Sequence, residues 1–226
     1  MARLRIIGSC LATVALAGAA SAGAATIGFS SCAASDSSGL TSCVASATLV
    51  DFNSGSAPAA YSIVGNGGAV VSGSVSGKYA QPGGSSGPLS DKTPYLTVPG
   101  PNANPAMGTV TATPGGSYNY FGLYWGSMDD YNTLTFYSGS NAILSITGAD
   151  VITALNLLGN QTAAGSNRYV DFYFGSLSFD SLKFSSTNFA FESDNHAFGR
   201  VPEPGSLALL ALGLLGLGFT ARRRLR

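Results

Sequence analysis

Chemistry at neutral pH draws on a histidine, an activated hydroxyl or thiol, or convergent carboxylates, and this chain is sparing with all of them. Its 226 residues include one histidine, His196, and three cysteines. Gly83-Gly84-Ser85-Ser86-Gly87 matches G-x-S-x-G literally. A nucleophile elbow needs a strand before the serine and a helix after it, whereas Pro82 and Pro88 flank this Gly/Ser loop, so the match is one of composition. With His196 the only base, no Ser-His-Asp triad is expected. Glycoside hydrolysis needs two carboxylates about 5–10 Å apart. Glu192 is the only glutamate between residues 25 and 200. Asp129-Asp130 is the tightest acidic pair, and it reads as a turn before Tyr131. H-E-x-x-H, C-x-x-C and P-loop patterns do not occur, which removes support for zinc, thiol-redox and nucleotide chemistry. The sequence therefore leads us to expect no catalytic residue, no cofactor and no metal. Calcium is the metal its oxygen ligands suit best, through Asp51 and Asn53 with Glu192 or Asp194. However, EF-hand spacing is missing, and Asp and Asn are ordinary turn formers.

Binding is the other chemistry to weigh. Aromatic rings with polar edges suit sugar faces, and Trp125 and Tyr131 are the residues singled out for glycan contact, with Tyr120, Tyr124 and Tyr173 as neighbours. Adjacent strand residues point to opposite faces, so Tyr124 and Trp125 are not expected to share one. Cys32 and Cys43 form an even pair once Cys10 is removed with a leader. In an oxidising compartment they read as a disulfide closing a twelve-residue loop. A two-cysteine metal site is the alternative, with no histidine nearby to complete it.

The elements that must position these groups lie between two terminal segments. Arg3 and Arg5 precede an apolar stretch from Ile6 to Ala20, followed by the small-residue sites Ala20-Ser21-Ala22 and Ala22-Gly23-Ala24. That order is a secretory signal peptide, residues 1–24, which implies the general secretion machinery and signal peptidase. At the other end, Val201-Pro202-Glu203-Pro204-Gly205-Ser206 leads into the apolar run Leu207–Ala221 and then Arg222, Arg223, Arg224, Leu225 and Arg226. Fifteen residues of helix span about 22 Å at ~1.5 Å each, short of the ~30 Å hydrocarbon core unless arginines snorkel. The arginine block holds the tail inside, where it acts as a transmembrane stop and leaves Pro-Glu-Pro outside. The membrane is thus engaged transiently, through residues 201–226.

Pro202-Glu203-Pro204, a short apolar helix and a terminal arginine cluster resemble the PEP-CTERM sorting domain. The resemblance implies processing by an exosortase, a multi-pass membrane cysteine protease of Gram-negative bacteria that make exopolysaccharide. It covers about 25 of 226 residues, so it speaks to destination and carries no activity. Phe121 to Phe136, with Trp125-Gly126-Ser127 followed by an Asp/Asn turn, resembles a stretch common in the ectodomains of such proteins. Phe189-Ala-Phe-Glu-Ser-Asp-Asn195 resembles the ending of their last strand, with His196 where an apolar residue is usual. Those ectodomains are jelly-roll-like, similar to carbohydrate-binding modules.

Residues 25–200 carry five basic and ten acidic side chains, a net of −5, which argues against nucleic acid as a partner. Eleven short runs separated by Gly, Pro, Asn and Ser read as strands, from Ala45–Phe52 to Phe189–Glu192. One helix is expected over Ala149–Leu158, and a surface connection over Gln81–Pro105. Of 23 aromatic residues, 17 fall between Tyr118 and Phe198, which places the core there. The expectation is an all-β chain, a single β-sandwich or jelly-roll ectodomain between a signal peptide and a sorting helix. Functionally it is a non-enzymatic protein of the cell surface or biofilm matrix, reached through an inner-membrane intermediate, with exopolysaccharide as a contact. The alternative is a secreted hydrolase of matrix polysaccharide delivered by the same tail.

Overall fold

The computed structural model describes residues 25–152 and 157–201, and the backbone of residues 14–15. The leader and tail assignments, including Pro202, Glu203, Pro204, Arg222, Arg223, Arg224 and Arg226, lie outside the described residues. In chain order the first strands are β1 (Val14–Ala15), β2 (Thr26–Gly28), β3 (Cys32–Ala33), β4 (Leu40–Thr41) and β5 (Thr48–Val50). β6 (Tyr61–Ile63), β7 (Ala69–Val71), β8 (Tyr95–Val98), β9 (Gly108–Ala112) and β10 (Tyr120–Gly126) follow. The last are β11 (Asn132–Ser138), β12 (Asn141–Thr147), β13 (Arg168–Tyr173), β14 (Ser181–Ser186) and β15 (Phe191–Gly199), with a one-turn helix α1 (Gly148–Val151) after β12. The chain is all-β.

Two antiparallel sheets form the sandwich. One runs β1-β2-β13-β10-β15-β8-β7, with β5 added to β15, and the other runs β12-β11-β14-β9-β6. The pairing is nested: β8 with β15, β9 with β14, β10 with β13 and β11 with β12. This is one long hairpin folded over so that successive rungs alternate between sheets, the strand order of a jelly roll. Alternation does the sorting. Phe121, Leu123 and Trp125 point inward from β10, and they meet Leu134 and Phe136 of β11, Leu182 and Phe184 of β14, and Val170 and Phe172 of β13. Phe121 and Phe136 pack edge to face across the sandwich with centroids 5.6 Å apart. Each such fully buried ring contributes about 1.5–3 kcal/mol.

The outward faces differ between the sheets. On the second sheet Thr133, Lys183, Ser185, Thr109 and Thr111 present a wet polar face, the alternation expected of an antiparallel sheet. On the first sheet every residue of β10 and β15 is buried on both sides. The β3–β4 hairpin, closed by the Cys32–Cys43 disulfide, and residues 82–91 lie over it. A side chain at Gly122 would sit 2.6 Å from the Tyr120 and Tyr169 hydroxyls, so glycine lets those rings cross the strand beneath the covering loops.

Three expectations change. The Gln81–Pro105 stretch is no surface connection: Pro82, Gly83, Ser90 and Asp91 are buried against the first sheet. Of the helix expected over Ala149–Leu158, residues 153–156 lie outside the described residues; the helix observed is Gly148–Val151, where Thr147 and Asp150 form a capping box and Ile152 is already extended. The last strand does not stop at Glu192 but runs to Gly199. Ser193-Asp194-Asn195 carries the strand on through a bulge in which Asn195 takes a left-handed φ of 50°. The bulge shifts the alternation by one residue. Phe191 faces the core before it, and Phe198 faces the core after it.

Candidate functional site

The β10–β11 connection, the chain before β8 and the start of β15 enclose a cavity of about 150 Å³. Lys78, Ser127, Asp129, Tyr131, Gln161 and Glu192 supply its polar wall. Glu192 is held from both sides. The Ala80 N–H donates to Oε1 at 2.7 Å and the Ser127 hydroxyl donates to Oε2 at 3.0 Å. Burial pushes the Glu192 carboxyl up to about 8, with the Asp129 charge adding to the rise and the two donated hydrogen bonds opposing it. Desolvation likewise holds Asp129 at about 6, against the lowering effect of Tyr131 and with Asp130 raising it further. The Tyr131 hydroxyl donates to the Phe189 carbonyl at 2.8 Å, which fixes its ring at the cavity wall. Lys78 Nζ lies 4.2 Å over the centre of the Phe189 ring. The result is a small polar cavity with two carboxyl groups, one half-buried tyrosine and several neutral hydrogen-bonding groups.

The residues singled out from the sequence separate on this structure. Tyr131 lines the cavity. Trp125 does not: it is fully buried, stacked on Phe191 at 4.5 Å with an 11° interplanar angle, and so it presents no face to a glycan. Its inward parity on β10, set by Phe121 and Leu123, is the reason. Asp129 enters the cavity with Glu192 rather than with Asp130, which is exposed, so the carboxylates that meet are 63 positions apart in sequence. Ser85 sits on an exposed loop with no helix after it. His196 stands within the last strand. It is wholly buried in β15, stacked on Phe184 at 4.9 Å, with Nδ1 2.6 Å from the Tyr61 hydroxyl and Nε2 3.0 Å from the Ser193 hydroxyl. Burial drives its imidazole down to about 3, so it stays neutral and sealed from any substrate. The calcium ligand set imagined from sequence is not assembled. Asp51 accepts from its own turn at the Asn53 N–H, and the Asn53 amide donates to Asp36. Among the described residues no group of three or more His, Cys, Asp or Glu side chains is arranged to hold a metal. Cys32 and Cys43 are joined, as expected.

The route out of the fold is equally defined. Asn119 clasps Val201 from both sides, accepting its N–H and donating to its carbonyl, each at 2.8 Å. Arg200 donates from Nε to the Ser117 carbonyl at 2.7 Å and from Nη2 to its hydroxyl at 3.0 Å. The chain therefore leaves the central strand β15 and is pinned to the body through residue 201. Among the described residues no helix is long and apolar enough to cross a membrane.

The jelly-roll body thus delivers its C-terminal extension directly from an interior strand of the first sheet. Residues 200–224 match the PEP-CTERM protein-sorting motif, the recognition signal for an exosortase, so the chain carries the address of a protein sorted to the cell surface. No curated protein and no solved structure matches the chain.

Proposed function

We propose that this protein is a non-enzymatic component of the cell surface or extracellular matrix of a Gram-negative bacterium. It enters by the general secretion route and loses residues 1–24. It is then held in the inner membrane by its C-terminal apolar run until an exosortase processes it near Pro202-Glu203-Pro204. The observation that carries this reading is the sorting motif at residues 200–224, set immediately after the last strand. Five residues separate the clasped Val201 from Leu207, at most about 20 Å of extended chain. The body is thereby held against the membrane face, with the Pro-rich segment kept extended for a protease groove. The cavity at Tyr131, Asp129 and Glu192 is the contact for exopolysaccharide. Its volume accommodates about one sugar residue, and its wall offers hydroxyl, amide and carboxyl groups around one tyrosine. Two features favour binding over catalysis: both Glu192 oxygens are engaged by the protein, and the only histidine is sealed in the core.

The convergence of Glu192 and Asp129 favours one second reading, a hydrolase of matrix polysaccharide delivered by the same tail. Release of glycan by the purified protein, abolished in Asp129→Asn, would decide for it. The sorting reading is tested by intact mass and C-terminal peptide mapping of the protein from membranes, surface and medium, with and without the exosortase. We expect a surface form ending near residues 201–206 that disappears in the deletion strain. A tail intact through Arg226 in every fraction would overturn it.

A further inference from the structure

The loops that cover the first sheet bring two buried aspartates together. Asp194 projects from β15 toward the covering side, and Asp91 lies in the covering segment, bridged to Ser38 of the disulfide-closed hairpin. Both are wholly buried. The Thr93 hydroxyl lies 2.7 Å from Asp91 Oδ1 and 3.2 Å from Asp194 Oδ2. That shared hydroxyl sets the two carboxyl groups side by side. One hydroxyl has one proton and cannot serve both. The remaining oxygens, Asp91 Oδ2 and Asp194 Oδ1, have no hydrogen-bond partner, and neither does the buried Asn195 Oδ1 next along the chain. The Asn195 amide nitrogen is fully used, donating to the Ser38 carbonyl, the Ser38 hydroxyl and the Leu40 carbonyl. Ser38 in turn gives its N–H and its hydroxyl to Asp36.

Two carboxylates cannot both be buried around one hydroxyl as anions without a compensating positive charge. A shared proton answers the repulsion between them but leaves Asn195 Oδ1 orphaned. A cation answers the repulsion and offers coordination to neutral oxygens as well. The donor set is oxygen only, with two carboxylates and nearby amide, hydroxyl and backbone carbonyl groups. That suits a hard ion of flexible, high coordination number, and excludes the nitrogen and sulfur preferences of zinc or copper. We propose that Asp91 and Asp194 are the anchoring ligands of a calcium ion, with Asn195 beside them, that ties the covering hairpin and the segment before β8 to the last strand. The ion would act as a structural cross-link, loaded outside the cell where calcium is abundant.

Equilibrium dialysis of the exported protein against calcium alone, paired with thermal melts in EDTA and in added calcium, tests this. We expect one calcium per chain and a rise in the melting midpoint of about 5–10 °C at ~100 times the dissociation constant. Magnesium should give a smaller rise. Asp194→Asn should abolish both binding and shift, while Asp51→Asn, the acid that caps its own turn, should keep both. No bound calcium on the unmodified protein, with identical midpoints in EDTA and calcium, would overturn the proposal and leave the pair sharing a proton. That outcome does not depend on whether any variant folds.

Discussion

Trp125 separates a packing role from a ligand-binding role by a substitution whose effect runs against intuition. Its indole is wholly buried and stacked on Phe191, and its Nε1–H has no acceptor. Replacing it with alanine removes the ring and leaves a cavity, which costs about 3–5 kcal/mol. Replacing it with phenylalanine keeps the stacked six-membered ring. The lost atoms and the smaller cavity cost about 1–2 kcal/mol. Removing a buried donor without a partner returns about 1–3 kcal/mol. Trp125→Phe should therefore lie within about 1 kcal/mol of the unmodified protein, or about 2–4 °C in melting midpoint. Trp125→Ala should lose about 6–20 °C on the same scale. Thermal melts and urea titrations of the two variants, read side by side, provide the assay. Retention on the producer's own polysaccharide is measured in parallel, where Trp125→Phe should behave as unmodified protein and Tyr131→Ala should lose retention. If Trp125→Phe proved as damaging as Trp125→Ala, the unpartnered N–H would not be a cost and the accounting here would be wrong. If Trp125→Phe kept its stability but lost retention, the indole would be reaching ligand after all.

Two further outcomes follow from the same structure. Cys32 and Cys43 close a twelve-residue loop, for which chain entropy gives about 3 kcal/mol. The Cys32→Ser, Cys43→Ser double variant should thus melt about 6–12 °C lower, and an unchanged midpoint would mean that the covering hairpin is held by its other contacts. Asp129 has its folded carboxyl raised to about 6 from an ordinary 3.8. Between those values the folded state binds more proton than the unfolded state, so this group makes stability fall as pH rises from about 4 to about 6. Asp129→Asn should flatten that part of the stability profile, and an unaltered slope in pH-dependent melts would assign the fall to other groups.

What was legible in the sequence follows the physics of each signal. Period-two alternation in Leu134-Thr-Phe136 and Leu182-Lys-Phe184 marks strands with one wet face, and those strands are where expected. The clustering of aromatics after Tyr118 marks the inter-sheet core correctly. Alternation fails where both faces are buried. On β15 the outward positions are Glu192 and Asp194, which look solvent-facing by residue type, yet they are covered by segments more than a hundred positions away. Ser-Asp-Asn forms a bulge because Asn195 tolerates the left-handed region and ties down the hairpin through Ser38 and Leu40. The cavity and the paired aspartates were invisible for the same reason. Glu192 meets Asp129, and Asp194 meets Asp91, only through the nested pairing, and no local spacing encodes it.

That pairing also orders folding against sorting. β15 is the central strand of the first sheet, bonded to β10, β8 and β5, and it is the last strand of the chain. Neither the sheet nor the aspartate pair can be completed until residues 191–199 have joined it. Both β8 and β5 take β15 as partner, so no subset ending earlier in the chain has a closed first sheet. The sorting motif begins at residue 200, one position after β15 ends. On the proposed function, a chain stalled by its terminal arginines would have translocated all of β15 and the short Pro-rich segment after it, so the body could close while the tail was still in the membrane. Clasping of Val201 by Asn119 then becomes a consequence of completed folding, since Asn119 sits at the start of β10 against the end of β15. The segment offered to a protease is defined on its body side by a strand that exists only in the folded protein. A body that fails to close leaves Arg200 and Val201 unclasped, and the same residues emerge on an unanchored chain. Placing so deeply integrated a strand next to the sorting motif would, on the proposed function, link the presentation of the tail to the integrity of the body.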